Sequence, residues 1–327
     1  MPTSHPRLTL CALTAVVLVI ASVALHPVQW LGDDFGHALM EWTAVCLALA
    51  VSGLALLHNR VKGSPVSLFL GFGFFATALL DAYHVFATSQ HFASTLEALS
   101  HWSWSASRLF LAQYLFVIYV LLRRAAQSTD TGAPSSSTAL LSAADLALVN
   151  VFFFTFFDLP PAQLDDSLLS RPGELAPALF FALALFGYVR AGGWRTSALE
   201  YWLVLSLVVG IGAQAAFMAL SQQPFDAMFG AAHVLKILSY GLVLCGLSVA
   251  LGQREAVSTG SAEPNEPTEP GGPAEPAEPS GPADSVHLDE LKVARLEMEE
   301  ARMMAEEARA MANAAQQTKN QIGRAHV

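Results

Sequence analysis

Residues 66–87 read VSLFLGFGFFATALLDAYHVFA and are apolar over the length of a bilayer, yet they carry Asp81 and His84. A membrane-spanning helix needs about 20 predominantly apolar residues. A charged side chain at the centre of such a helix costs about 2.5–3.5 kcal/mol on insertion scales. A later apolar segment contains a second pair, His233 and Lys236. The i, i+3 spacing of both pairs places their polar groups on one helix face, which predicts a polar site inside a helix bundle.

The composition divides the chain into two unlike parts. It is 54% hydrophobic and 13% charged, whereas soluble domains are about 25% charged. Residues 1–254 are almost continuously apolar and residues 255–327 are polar, so the net charge of −10 is an average over both parts. The sequence has no basic face that would bind nucleic acid. The three cysteines lie in apolar segments without a Cys-x-x-Cys pattern, which is typical of small packing residues.

Eight segments approach the length of a membrane span. They predict an all-α fold: a polytopic membrane bundle of about eight transmembrane helices over residues 1–254. The fourth and sixth segments are short, so their ends are poorly defined by hydropathy. The segments are Leu8–Leu25, Gly36–Leu57, Val66–Ala87, Leu109–Leu122, Ala139–Phe157, Leu175–Val189, Leu199–Leu220 and Gly230–Leu251.

The connections between these segments alternate in charge. Every second side is basic, and the positive-inside rule places that side, with both termini, in the cytoplasm. The basic residues are Arg7, Arg60, Lys62, Arg123, Arg124, Arg190, Arg195 and Arg254. The opposite connections carry Arg171 and seven acidic residues: Asp33, Asp34, Glu97, Asp158, Asp165, Asp166 and Asp226.

The first segment also has features of a signal peptide. Arg7 precedes an apolar core, and the small residues of Ser22-Val23-Ala24 follow it. Cleavage there would leave seven spans and an external N-terminus. The apolar run is long for a signal core, so we expect the segment to be retained.

In this orientation several polar residues fall at one depth, near the outer ends of their helices. The predicted ligand or sensing cluster is Asp81, His84, Arg108, His233 and Lys236, with Glu41, Tyr83 and His101 as possible additional members. One interpretation is a structural ion-pair network that fixes helix register. A second is a site where a sensor binds a small molecule, a proton or an ion.

Two further interpretations of the cluster remain open. One is a metal or haem site that uses His84 and His233 with His91 or His101, although no compact ligand motif identifies the metal. The other is the ion pathway of a transporter, in which intramembrane carboxylates relay protons.

The C-terminal part begins with a predicted linker over residues 255–285. A proline falls at every third position from Pro264 to Pro282. Because polyproline II has three residues per turn, this pattern predicts an extended, semi-rigid spacer or, alternatively, a ligand for a proline-recognition domain.

Residues 286–321 predict a cytoplasmic signalling helix. Leu291, Met298, Ala305 and Ala312 repeat every seven residues, as do the alanines at 294, 301, 308 and 315. This Ala-rich heptad seam favours a parallel homodimer, and a solvated single helix is the alternative.

The chain contains no Walker loop, zinc motif or catalytic triad, so it gives no sign of enzymatic activity or of a cofactor of its own. The last residues, 322–327, read IGRAHV and match one reading frame of a common sequencing adapter. We therefore expect a non-native end and a natural protein that continues beyond Gln321.

Three motifs resemble the type-three membrane-associated sensor domain, a bacterial family of integral membrane input modules. They are Leu80-Asp81-Ala82-Tyr83-His84, Trp104-Ser105-Ala106-Ser107-Arg108-Leu109 and Gly230-Ala231-Ala232-His233-Val234-Leu235-Lys236. They occur in the family's order, D-x-x-H, then Trp followed by Arg, then H-x-x-K, and the likeness covers roughly residues 8–254. This copy has Tyr83 and Val85 where leucines are expected. The resemblance implies a multi-pass sensor of the bacterial inner membrane, in contact with lipid.

Residues 301–321 resemble the helix that leads into the phosphoacceptor domain of sensor histidine kinases. The likeness rests on Ala312-Asn313-Ala314-Ala315-Gln316-Gln317-Thr318-Lys319-Asn320-Gln321, and the phosphoacceptor motif itself is absent. The resemblance implies the input half of a histidine kinase in a two-component system. ATP, magnesium and a response regulator would belong to its kinase part alone. The input domain of a diguanylate cyclase and a transporter are the alternatives.

Overall fold

The computed structural model describes residues 4–88, 97–127, 135–157, 163, 164, 167 and 169–259. Among these residues, eight helices are long and apolar enough to cross a membrane. The prediction of an all-α bundle with eight spans is thereby confirmed. The predicted signalling helix and chain end lie outside the described residues, as do His91 and the linker beyond residue 259. The side chain of His101 is also outside them.

The helices follow one another with short connections wherever the connection is described. Their bounds are α1 Ser4–Leu25, α2 Asp34–Lys62, α3 Pro65–Thr88, α4 Glu97–Gln127, α5 Ser136–Phe156, α6 Leu175–Ala191, α7 Ala198–Ile211 and α8 Ala227–Thr259. A 3₁₀ turn, Pro172–Glu174, precedes α6, and a π-helical turn, Gly212–Phe217, continues α7.

The fourth helix differs most from its predicted extent. The predicted start at Leu109 was wrong, because α4 begins at Glu97. Hydropathy reads Ser103, Ser107 and Arg108 as connection, yet all three are buried among neighbouring helices and do not meet lipid. A polar stretch can therefore stay helical inside a membrane when the bundle supplies its partners.

The interior of the bundle is formed by α2, α3, α4, α7 and α8. Helix α2 packs on α3 and α8, α3 also packs on α4, and α7 packs on α8. Helices α1 and α5 lie at the periphery and expose apolar side chains such as Ile20 and Leu148. Because lipid tails are as apolar as these side chains, such exposure carries no cost in a bilayer.

Three connections meet at one end of the bundle, which we name the upper end. The Gly32 amide donates to the Phe225 carbonyl at 2.7 Å, and the Arg171 amide donates to the Ala219 carbonyl at 3.0 Å. At the opposite, lower end, Arg7 donates to the Trp194 carbonyl at 2.8 Å. The spans therefore run alternately up and down, as the charge pattern predicts.

Close contact between α3 and α4 depends on a glycine. A Cβ added at Gly73 would overlap the ring of Tyr114. That ring is fixed at its other end, because the Tyr114 hydroxyl donates to the Ala139 carbonyl at 3.0 Å. The ring cannot turn aside without releasing α5 from α4.

We expect Gly73→Ala to lower the free energy of unfolding by about 1–3 kcal/mol, since overpacking a fixed contact forces backbone or side-chain shifts. The measurement is unfolding of the purified protein in mixed micelles. Gly53→Ala is the matched control, because a Cβ at Gly53 meets no described atom within 4 Å. Equal stability of the two variants would contradict this account of the α3–α4 contact.

Candidate functional site

A cluster of polar side chains lies inside the upper half of the bundle, where four helices meet. We name it the upper cluster. Helices α2, α3 and α8 place their members on one face through i, i+3 or i, i+4 spacing, and α4 contributes two consecutive residues. Its members are His37 and Glu41 from α2, Asp81 and His84 from α3, Ser107 and Arg108 from α4, and His233, Lys236 and Tyr240 from α8.

Lys236 joins two carboxylates that belong to different helices. Its Nζ atom lies 2.8 Å from Oε2 of Glu41 and 3.0 Å from Oδ1 of Asp81. All three residues are at most 2% exposed. One ammonium group therefore connects α8 to both α2 and α3 with no solvent to replace it.

Asp81 has further partners on its other side. Ser107 donates to Oδ1, and the Tyr240 hydroxyl donates to Oδ2 at 2.9 Å. Arg108 donates to the Tyr240 hydroxyl and lies 3.8 Å from Oδ2 of Asp81. The carboxylate is thus held by groups from α4 and α8 together.

The charges of the upper cluster balance when its histidines are neutral. Two carboxylates, Glu41 and Asp81, face two cations, Arg108 and Lys236. Removing ions from water costs several kcal/mol each, and only pairing with further hydrogen bonds offsets this cost. Two anions and two cations in direct contact meet that condition without bulk water.

Next to the ion pairs, three histidines converge on Glu41. One nitrogen from each of His37, His84 and His233 and one Glu41 oxygen all lie within 4.8 Å of one another. His84 Nδ1 is 2.6 Å from Ser103 Oγ, and His233 Nδ1 is 2.8 Å from the Phe229 carbonyl. We name these four residues the histidine group.

Trp104 of α4 forms one wall of both parts of the cluster. Its ring lies 4.2 Å from the His233 ring, and Lys236 Nζ lies 4.6 Å from its centroid. Its Nε1 donates to Glu174 Oε2 at 3.3 Å, while Ser105 donates to the other Glu174 oxygen at 2.6 Å. The start of α6 is thereby tied to the same site.

The structure brings together all five residues of the predicted cluster and one of the additional candidates. Asp81, His84, Arg108, His233 and Lys236 are buried in contact with one another or with Glu41. Tyr83 does not join them, because its side chain lies on a face of α3 that points away from the bundle and is 38% exposed.

Sequence reasoning missed His37, Ser107 and Tyr240 of the upper cluster, and also Glu174 beside it. His37 stands one turn before Glu41, and Tyr240 stands one turn after Lys236, so the i, i+4 spacing was available as a signal. Glu174 follows a proline and a glycine, a pattern that is typical of a connection. Its burial depends on α4, which sequence spacing does not reveal.

We expect Lys236→Met to lower the free energy of unfolding by about 3–5 kcal/mol, because it leaves two buried carboxylates without their shared cation. The double variant Lys236→Met/Asp81→Asn should be more stable than the single one, since one carboxylate and one cation remain and the buried charges balance again. Unfolding in mixed micelles measures both.

The matched control is Lys62→Met at the lower end. Lys62 donates to the Ala250 carbonyl and is half-buried, so its loss should cost only about 1 kcal/mol. Equal losses for Lys62→Met and Lys236→Met would show that the bridge does not stabilise the bundle.

Comparison with known proteins covers most of the membrane part of the chain. Residues 35–250 match the family MASE3, described as a membrane-associated sensor domain. Neither the curated proteins nor the solved structures contain a match to the chain. The match includes every member of the upper cluster, from His37 to Tyr240, and it extends over more than half of the sequence. The chain is a multi-pass membrane protein and belongs to the MASE3 family of membrane-associated sensor domains.

Proposed function

We propose that the upper cluster is the place where this sensor domain receives its stimulus. One observation carries the proposal: charged and ionisable side chains from four helices meet in a single buried network, where each is costly to place. A purely structural network needs fewer unpartnered groups. Among the described residues, Nε2 of His37, His84 and His233 has no hydrogen-bond partner.

The proposed signal leaves the cluster through α8. This helix supplies His233, Lys236 and Tyr240, and it continues to Thr259, beyond its apolar span that ends at Gly252. A stimulus that changes the partners of Lys236 alters the packing of α8 against α2 and α3. Such coupling requires that the stimulus has different affinities for two arrangements of the helices.

The proposed output is that of a sensor histidine kinase in the inner membrane of a bacterium, with both termini in the cytoplasm. The likeness of residues 301–321 to the helix before a phosphoacceptor domain supports the kinase over a diguanylate cyclase. The alternation of basic and acidic connections supports the orientation. In this proposal, the cytoplasmic helix of residues 286–321 pairs with a second copy of the chain.

We expect Asp81→Asn and His84→Ala to abolish the response of a reporter kinase joined after residue 321, because each removes a central member of the upper cluster. The measurement is autophosphorylation in membrane vesicles, with membrane insertion checked for every variant. Asp145→Asn is the matched control, since Asp145 is an exposed carboxylate on the peripheral helix α5.

An unchanged response in Asp81→Asn and His84→Ala would overturn the sensing role and leave the network a structural one. Flux of an ion through proteoliposomes that contain the wild-type chain, lost in Asp81→Asn, would favour a transporter. Normal signalling without flux agrees with the proposal.

We also expect Ala301→Cys to form an intermolecular disulfide when the three native cysteines are replaced by serine. Ala301 falls on the heptad seam, where facing helices of a parallel dimer bring identical positions together. Glu299→Cys, two residues away and off the seam, is the control. Equal cross-linking of the two variants in membranes, read on non-reducing gels, would argue against the parallel dimer.

A further inference from the structure

The histidine group has more lone pairs than protons to satisfy them. A carbonyl only accepts hydrogen bonds, so His233 donates from Nδ1 to Phe229, and its Nε2 has no proton when the ring is neutral. This Nε2 lies 3.1 Å from Glu41 Oε1, close enough for an ion pair but without the alignment of a hydrogen bond. Two hydrogen-bond acceptors, His233 Nε2 and Glu41 Oε1, therefore face each other in a site without solvent.

The other two rings add to the same imbalance when their protons sit on Nδ1, because a neutral imidazole then presents a lone pair at Nε2. Nε2 of His37 and Nε2 of His84 are buried and have no hydrogen-bond partner among the described residues. Buried polar atoms in native proteins are paired in the great majority of cases, and the exceptions call for an explanation such as an ion. Here one nitrogen from each of the three rings and one Glu41 oxygen gather within 4.8 Å of one another.

A proton and a metal ion satisfy this arrangement to different degrees. One proton on His233 pairs that ring with Glu41 and leaves Nε2 of both His37 and His84 unpaired. A second or third proton would place positive rings side by side, since the rings of His37 and His233 are 4.8 Å apart. One cation at the centre is shared by all four lone pairs.

We propose that His37, Glu41, His84 and His233 bind one divalent transition-metal ion at the upper end of the bundle. The inference rests on the proposed function, because it names the class of stimulus that the upper cluster receives. Three imidazoles and one carboxylate are the ligands that zinc, iron, copper and nickel accept, whereas magnesium and calcium prefer oxygen alone.

The size of the group fits such an ion after a small contraction. Two ligand atoms that each lie about 2.1 Å from one zinc ion are at most about 4.2 Å apart. The widest separation in the group is 4.8 Å, so it must close by roughly 0.6 Å. The proposal requires that rotation of the four side chains supplies this movement.

The surroundings orient the ligands as a metal site requires. Ligating histidines usually donate their second nitrogen to a carbonyl, carboxylate or other polar group. His233 does so to Phe229, and His84 Nδ1 faces the Ser103 hydroxyl. The second oxygen of Glu41 accepts from Lys236, which leaves Oε1 for the ion.

The charge of the site favours reversible binding. The ion pairs of the upper cluster already balance, so a divalent ion adds its full charge to a neutral, buried network. This extra charge weakens the site relative to a permanent structural zinc site. A sensor needs an affinity at which its stimulus can both bind and leave.

A cavity lies at the upper end of the bundle. It has a volume of about 510 Å³ and is lined by residues that include Leu31, Asp226 and Met228. Phe225, next to Asp226, has a positive φ of 66° and packs its ring 5.5 Å from His37. Non-glycine residues with such angles are uncommon and recur at functional sites. Phe225 thus contacts the histidine group and is next in sequence to a residue that lines the cavity.

The first test is metal binding by the full chain, purified in detergent and stripped with EDTA. We expect one Zn²⁺ per chain by elemental analysis after removal of excess ion. We also expect bound Co²⁺ to show the visible absorption of a four-coordinate site with nitrogen and oxygen ligands. Added Zn²⁺ should displace the Co²⁺ and remove this absorption. Because imidazole and carboxylate ligands must be unprotonated, the affinity should fall as the pH is lowered.

The second test compares variants at matched positions. His37→Gln and His84→Gln should weaken Zn²⁺ binding by about tenfold or more. His58→Gln is the control, because His58 is a buried histidine on the same helix α2 but lies at the lower end, bonded to Ser67. Helical circular dichroism and elution volume confirm that each variant is folded.

The inference is overturned if the stripped wild-type chain takes up neither Zn²⁺ nor Co²⁺, or if His58→Gln and His84→Gln lose binding equally. Its failure is distinct from that of the proposed function. A kinase response that depends on Asp81 in a protein that binds no metal would leave the sensing role intact. If the chain binds metal but neither Asp81→Asn nor His84→Ala changes the kinase response, the metal site stands and the sensing role fails.

Discussion

The contact of Lys236 with Glu41 and Asp81 is the interaction on which the upper half of the bundle depends. A single Nζ atom within 3.0 Å of oxygens from α2 and α3 fixes the position of α8 against both helices. In a bilayer no water can replace either partner, so a shift of any of the three helices leaves a buried charge unpaired. The pairing therefore determines which helices α8 contacts and also their register.

Short polar contacts of this kind require helices that approach closely. Gly71 lies against Leu56 of α2, and Gly73 lies against Tyr114 of α4, in both cases where a Cβ would overlap the partner. Lipid gives no hydrophobic drive for helix association, so packing through small residues and polar contacts must supply it. The glycines of α3 and the carboxylate of Asp81 serve the same end: they hold α3 between α2 and α4.

The sequence predicted the spans and the five central residues because an ionisable group in an apolar segment is conspicuous and loop charge fixes its depth. It did not predict that Lys236 serves both Glu41 and Asp81, since spacing indicates which face a residue occupies but not which helix lies opposite. His37 was missed because it stands in the first turn of α2, one residue after the predicted start of the segment at Gly36, where a polar residue is typical of a helix end. The early start of α4 was missed because Ser103, Ser107 and Arg108 look like loop residues until their partners are known.

Glu41 belongs to both parts of the upper cluster, and this makes the two parts interdependent. Its Oε2 accepts from Lys236, while its Oε1 faces His233 at 3.1 Å. A cation among the histidines draws negative charge toward Oε1 and weakens the attraction between Oε2 and Lys236. Lys236 then pairs more strongly with Asp81, its other partner at 3.0 Å. In the proposed mechanism, a change of charge at the histidine group would therefore shift α8 from α2 toward α3.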